Sequence, residues 1–212
     1  NCCNFQISMR RFCYCVFLVL LTFHLNGQNI WLHPNAGQWD DRIQYKVELA
    51  MGEMLIENDG FTYFLNDAKQ RLGHHDNDHS HDNSTSFNAH VIKAKFLGSS
   101  WNNSIILRDS SSFYRNYFLG SDKSKWQGNI RSYSYIELAD YYYGIDLILD
   151  GADEMLKYSL RVAPQIDPSQ IIIQYSGQDE LYIDQEGNLH VSNRFGEIIE
   201  KKPVAWNIDE NG

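Results

Sequence analysis

The densest group of chemistry-bearing side chains is His74-His75-Asp76-Asn77-Asp78-His79-Ser80-His81-Asp82, which holds four imidazoles and three carboxylates within nine residues. Imidazole suits zinc, copper or nickel, and His79 with His81 could ligate from an extended loop. The histidines have no regular ligand spacing, and the flanking residues are polar and aperiodic. Ordering such a loop costs about 1–2 kcal/mol per residue. A solvated hairpin loop therefore outweighs a metal centre, and no metal or other cofactor is expected. His74, His75, His79 and His81 are the residues that would hold an ion.

Acid–base chemistry is the next possibility. Asp40 and Asp41 are adjacent, while Asp146 and Asp150 are four apart. In a strand, that second spacing puts two carboxylates on one face about 13 Å apart, beyond the ~6.5–9.5 Å of an inverting glycosidase pair. Turn and strand-end roles explain them better. The segments Asp150-Gly151-Ala152-Asp153-Glu154 and Asp184 to Asn188 look superficially like calcium loops, but neither has the alternating oxygen ligands of an EF-hand. No serine or cysteine nucleophile motif, phosphate-cradling glycine loop or His-Glu-x-x-His helix occurs. The expectation is a protein without catalysis.

Aromatic rings offer a different chemistry, stacking on sugars. The tryptophans are Trp31, Trp39, Trp101, Trp126 and Trp206, and a run Tyr141-Tyr142-Tyr143 joins them. Large rings supply much of a β-protein's buried area, so most are assigned to the core or to packing between modules. Trp101, between Ser100 and Asn102, is the candidate ligand-binding ring.

These residues need a frame, and the chain's patterning supplies one. In Ile43 to Leu49 the apolar Ile43, Tyr45, Val47 and Leu49 alternate with Gln44, Lys46 and Glu48. In His90 to Phe96, Ile92, Ala94 and Phe96 alternate with Lys93 and Lys95. Period two with one wet face marks antiparallel sheets. Further strands are expected at Met54–Glu57, Phe61–Leu65, Ser104–Arg108, Tyr114–Leu119, Arg131–Leu138, Ile145–Leu149, Leu156–Val162, Ile171–Tyr175, Leu181–Ile183, Leu189–Val191 and Ile198–Lys201. Turns such as Asn58-Asp59-Gly60 and Asp184-Gln185-Glu186-Gly187 separate them. Helical turns are expected only at Asn66–Leu72 and Asp122–Trp126. The fold class is all-β, an antiparallel β-sandwich of many short strands, with an open or closed barrel-like sheet as the alternative.

The N-terminus carries a separate signal. Met9-Arg10-Arg11 precedes an apolar run from Phe12 to Leu25, followed at once by Asn26-Gly27-Gln28-Asn29. That is a signal-peptide pattern, shorter than the ~20 residues of a membrane-spanning helix. The domain reading is residues 1–8 as an over-extended reading frame, 9–27 as the signal peptide and 28–212 as one all-β domain, with no stable membrane insertion after cleavage. All four cysteines, Cys2, Cys3, Cys13 and Cys15, fall before that cleavage point, so the remainder has no thiol and depends on packing. The net charge of −9 becomes more negative when Arg10 and Arg11 leave. An acidic chain has no basic footprint for nucleic acid, which is excluded as a partner.

The last third supports a comparison. Tyr143-Gly144-Ile145-Asp146-Leu147, Leu156-Lys157-Tyr158, Val162-Ala163-Pro164, Asp167-Pro168-Ser169-Gln170-Ile171, Leu181-Tyr182-Ile183-Asp184, Gly187-Asn188-Leu189, Gly196-Glu197-Ile198 and Lys202-Pro203-Val204-Ala205-Trp206 follow in order. Upstream stand Asn35-Ala36-Gly37-Gln38-Trp39-Asp40, Asp59-Gly60-Phe61-Thr62-Tyr63 and Tyr117-Phe118-Leu119-Gly120 with Lys125-Trp126. From Trp31 to Asn207 the chain resembles the N-terminal domain of unknown function of large secreted bacterial proteins with β-propeller-type repeats and a gliding-motility-associated, type IX secretion sorting domain. The resemblance implies an exported or surface-displayed all-β module and carries no active site. Its expected function is a non-catalytic structural or interaction module, secreted or on the cell surface. Its partners would be other domains of a larger surface protein or extracellular matrix components. The alternative is a carbohydrate- or matrix-binding module. Coplanar exposed aromatics would favour that alternative, and an apolar patch towards Gly212 would favour docking to another domain.

Overall fold

The computed structural model describes residues 15–21, 29–66, 88–99, 104–152 and 155–207. Fifteen strands lie among them: β1 (Cys15–Leu21), β2 (Leu32–Pro34), β3 (Ile43–Leu49), β4 (Gly52–Glu57), β5 (Gly60–Asn66), β6 (Ala89–Leu97), β7 (Ile105–Tyr117), β8 (Gln127–Tyr142), β9 (Ile145–Asp150), β10 (Leu156–Val162), β11 (Ile172–Ser176), β12 (Glu180–Ile183), β13 (Leu189–Asn193), β14 (Gly196–Glu200) and β15 (Val204–Asn207). Every pairing between them is antiparallel. The order is β11-β6-β5-β4-β3-β2-β8-β9-β10-β1-β14-β13-β12, with β7 on β8 and β15 on β1. The all-β expectation holds. Its larger layer, β11 to β10, curls into a half-barrel, and β12 to β14 form a small second sheet.

Alternation builds the meander β3 to β6. Tyr45, Val47 and Leu49 are buried, and so are Met54, Ile56, Phe61, Tyr63, Leu65, Ile92, Ala94 and Phe96. Lys93 and Lys95 face solvent as the pattern predicts, while Ile43 is only half-buried beside a register shift between Ile43 and Tyr45. The strands approach closely at Gly52, where φ is +149° and an added Cβ would sit 1.9 Å from the Phe64 carbonyl oxygen. Only glycine fits there. Phe96 lies at the centre of an aromatic cluster, edge-on to Phe61 at 5.2 Å, Tyr141 at 5.4 Å and Tyr158 at 6.2 Å. Much of the aromatic content is thereby core, as the sequence reading assigns it.

Two details differ from the expected boundaries. The expected Ser104–Arg108 and Tyr114–Leu119 form one strand, β7, running from Ile105 to Tyr117, because the polar stretch between them continues the pairing with β8 through a register irregularity, Asp109 adopting φ +54°. A bulge between Leu138 and Tyr142 lets consecutive Tyr141 and Tyr142 both turn inward while Tyr143 stays 81% exposed. Of the two expected helical turns, Asp122–Trp126 contains a 3-10 turn at Lys123–Lys125, with the Asp122 carboxylate accepting from the Ser124 amide at 3.0 Å. The other, Asn66–Leu72, lies outside the described residues beyond Asn66. The apolar run read as an export leader supplies β1.

The two sheets meet at a buried carboxylate. Glu200, 5% exposed at the end of β14, accepts hydrogen bonds from the Tyr158 hydroxyl of β10 at 3.0 Å and from the Tyr175 hydroxyl of β11. Its partners thus come from both ends of the half-barrel. The Tyr63 hydroxyl, fully buried nearby, has no hydrogen-bond partner among the described residues. Burial raises the Glu200 pKa above its ordinary value, against the lowering effect of the two phenols. A raised folded-state pKa means a contribution to stability that is complete below the unfolded value and lost as pH rises through the folded one. Glu200→Gln is expected to melt at or above the wild-type temperature near pH 7.5, with the gap closing at about pH 4, where a glutamate protonates in the unfolded chain. Thermal unfolding at the two pH values checks this. A gap that widens in acid would contradict it.

Candidate interaction surface

The small sheet is fixed by a polar clamp on one face. The Asp184 carboxylate opens the β12–β13 turn by accepting from the Glu186 and Asn188 amides, each at 2.9 Å, and from Asn188 Nδ2 at 2.7 Å. It also meets His190 Nε2 at 3.0 Å, while His190 Nδ1 lies 2.9 Å from Glu197. Tyr182 stacks on the His190 ring at 4.6 Å and 8°, and its hydroxyl donates to Glu197 at 3.1 Å. One imidazole thus joins β12, β13 and β14. Its pKa is raised, first by the Asp184 bond and then by Glu197, and Asp184 is pushed well below the usual carboxylate range by His190 and Asn188.

The other face of this sheet is apolar and only half covered. Leu181 pairs with Val191 and Ile183 with Leu189, while Val191 pairs with Ile198, so these side chains share one face. Val191 and Ile198 are sealed in the core, yet Leu181 and Ile183 are 44% and 70% exposed. The core row runs out into solvent at β12. Val204 and Trp206, on β15, which pairs with β1 and not with β12, are 58% and 43% exposed. Side chains of this size gain about 1.5–3 kcal/mol each on full burial. An apolar surface held rigidly open by ionic bonds on its back is suited to docking.

Of the residues singled out from sequence, Asp184 and Asn188 belong to this clamp. His74, His75, His79, His81 and Trp101 lie outside the described residues, as do Asp153 and Glu154 of the first calcium-like segment. Among the described residues no group of three or more His, Cys, Asp or Glu side chains is arranged to hold a metal ion. Asp146 is committed to Arg161, whose Nη2 is 2.7 Å away and which also binds the buried Glu137. Tyr135 donates to that same Glu137 at 3.0 Å. Asp150 accepts from the Ala152 amide at 2.9 Å, and Asp40 forms an exposed pair with Arg42 at 2.9 Å. These carboxylates tie strands and turns together. The turn from Asp184 to Asn188 is likewise internally bonded.

Two groupings have no local signature in the sequence. His33 Nδ1 meets the Ser132 hydroxyl, and Ser132 in turn donates its amide to Ser111 Oγ at 3.2 Å. Imidazole against hydroxyl is the start of a nucleophilic pair, but His33, Ser132 and Ser111 are each 1% exposed. No substrate reaches them. Burial, with Arg115 close by, lowers His33 to about 4 and keeps it neutral. The second grouping is the His190 clamp. Its only sequence signal is that Asp184, His190 and Glu197 flank two successive tight turns.

The geometry defines an all-β module that pairs a sealed aromatic core with an uncovered apolar edge. Residues 32–212 match the family described as "Domain of unknown function (DUF7948)", and the chain belongs to that family. No curated protein and no solved structure matches it.

The clamp has a pH signature. His190 gains its carboxylate partners on folding, so its contribution is fully present below about pH 6.5, the ordinary imidazole value, and is lost as pH rises through the raised folded value. His190→Gln is expected to flatten the dependence of stability on pH on that alkaline side. Denaturant titrations of both proteins between about pH 6 and 9 check this, and parallel curves would contradict it.

Proposed function

We propose that this domain is a non-catalytic interaction module of an exported bacterial protein, docking another protein module through the apolar face of β12. The observation that carries this reading is the core row that continues from Val191 and Ile198 to the exposed Leu181 and Ile183. The leader pattern and the placement of every cysteine at or before Cys15 support work outside the cytoplasm. The resemblance to the N-terminal domain of gliding-motility-associated, type IX-secreted proteins with β-propeller-type repeats supports a place at the cell surface.

A sugar-stacking role has less support. Trp31 with Phe113, Trp39 with Tyr117 and Phe118 with Trp126 meet at 81°, 74° and 68°. Steep crossings present no shared plane to a pyranose ring. Replacing Leu181 and Ile183 together by serine is expected to leave the thermal midpoint within about 4 °C of wild type, a shift of roughly 1 kcal/mol at most for a chain of this size. The same variant is expected to be released from the surface of the producing cells into the medium. Equal retention of variant and wild type would overturn the reading.

A further inference from the structure

β10 occupies an unusual place in the sheet. One edge pairs with β9 from Lys157 to Val162, and the other pairs with β1 along all seven residues, Cys15 opposite Val162 and Leu21 opposite Leu156. β1 also pairs with β15, Cys15 opposite Asn207 and Leu18 opposite Val204, and touches β14 at Glu200. The backbone ladder between the half-barrel and the small sheet therefore passes through β1. Among the described residues, β15 pairs with no other strand.

The seat and its occupant differ in origin. The family match begins at residue 32, so β10, β14 and β15 belong to the family domain and β1 does not. The occupant, Cys-Val-Phe-Leu-Val-Leu-Leu, lies within the run read as an export leader. Hydrolysis after Gly27, with water ending in the new carboxylate and amine, makes that segment a separate peptide. The domain then keeps a seven-residue open edge on β10, whose inward row Leu156, Tyr158, Leu160 and Val162 is at most 2% exposed with the strand in place. An open edge above an apolar core is a template for strand addition.

We propose that the seat between β10 and β15 is a strand-acceptor site, taking an uncharged, continuously apolar strand of about seven residues from a separate polypeptide, antiparallel to both. The chemistry of the incoming strand is read from the one seated there. In sequence β1 is apolar at successive positions, without the alternation of β3 or β6. The proposal rests on the interaction-module reading and names a second, distinct contact for it.

The test uses the full chain with a site-specific protease sequence placed within residues 22–28. After cutting, a fluorescent peptide of residues 15–21 flanked by lysines is added. The expected result is saturable one-to-one uptake with release of the original segment. Amide exchange in Leu156–Val162 is expected to be at least tenfold slower with peptide than without. A peptide with lysine at alternate positions is expected not to enter. The proposal is overturned if β10 amides stay protected with the seat empty, if the cut segment cannot be exchanged, or if the cut chain unfolds on losing it. The Leu181→Ser, Ile183→Ser variant separates the two readings. Peptide uptake by a variant still retained on cells would sink the docking face alone, and a released variant with no uptake would sink the acceptor alone.

Discussion

One carboxylate sets the architecture. Glu200 lies where the small sheet crosses the open side of the half-barrel, and it is held by Tyr158 from one end of the curled layer and Tyr175 from the other. Burying a charged carboxylate without partners costs several kcal/mol, a large share of a domain's net stability, so the two phenols favour the arrangement in which the sheets are together. The constraint is directional in a way that apolar contact is not. It fixes β14 relative to β10 and β11, and through β14 it fixes β13 and β12.

From that joint the rest follows outward. β13 places Val191 over the core and His190 on the opposite face, because neighbouring residues of a strand point oppositely. His190 then draws in Asp184 and Glu197, and Tyr182 stacks on it. The back of β12 is therefore held by charge and stacking, while its front carries Leu181 and Ile183 without a cover. A strand that is exposed on both faces yet firmly attached gains its fixation locally, and its apolar front remains available to a partner. The Arg161, Glu137 and Asp146 group performs the corresponding cross-bracing on β8, β9 and β10.

β3 and β6 were legible in the sequence because each buries one face, which period two reports directly, whereas β4 and β5 also bury Leu55 and Thr62 on the other face. Ile92, Ala94 and Phe96 behave as their spacing requires. Longer β7 was not legible, since Asp109 to Ser112 resemble a loop when the pairing strand is unknown. Glu200 was invisible for a different reason. In Glu197-Ile198-Ile199-Glu200 a terminal glutamate looks like solvated edge, and its partners are 25 and 42 residues away in the chain. His190 was hidden likewise, for its meaning depends on two hairpin turns closing at once. The candidates that did stand out, the histidine-rich segment and Trp101, fall outside the described residues. The exposure of Leu181 and Ile183 had no sequence counterpart, because an alternating strand does not reveal whether anything covers it.

The central claim is that the uncovered front of β12 is where this domain meets its neighbour. Amide hydrogen exchange of the free chain against the chain retained on producing cells addresses it directly. The expected result is slowing at Leu181 to Ile183 on the cells, with the segment around Phe118 and Trp126 unchanged. Slowing around Phe118 and Trp126, with β12 exchanging equally in both states, would contradict it.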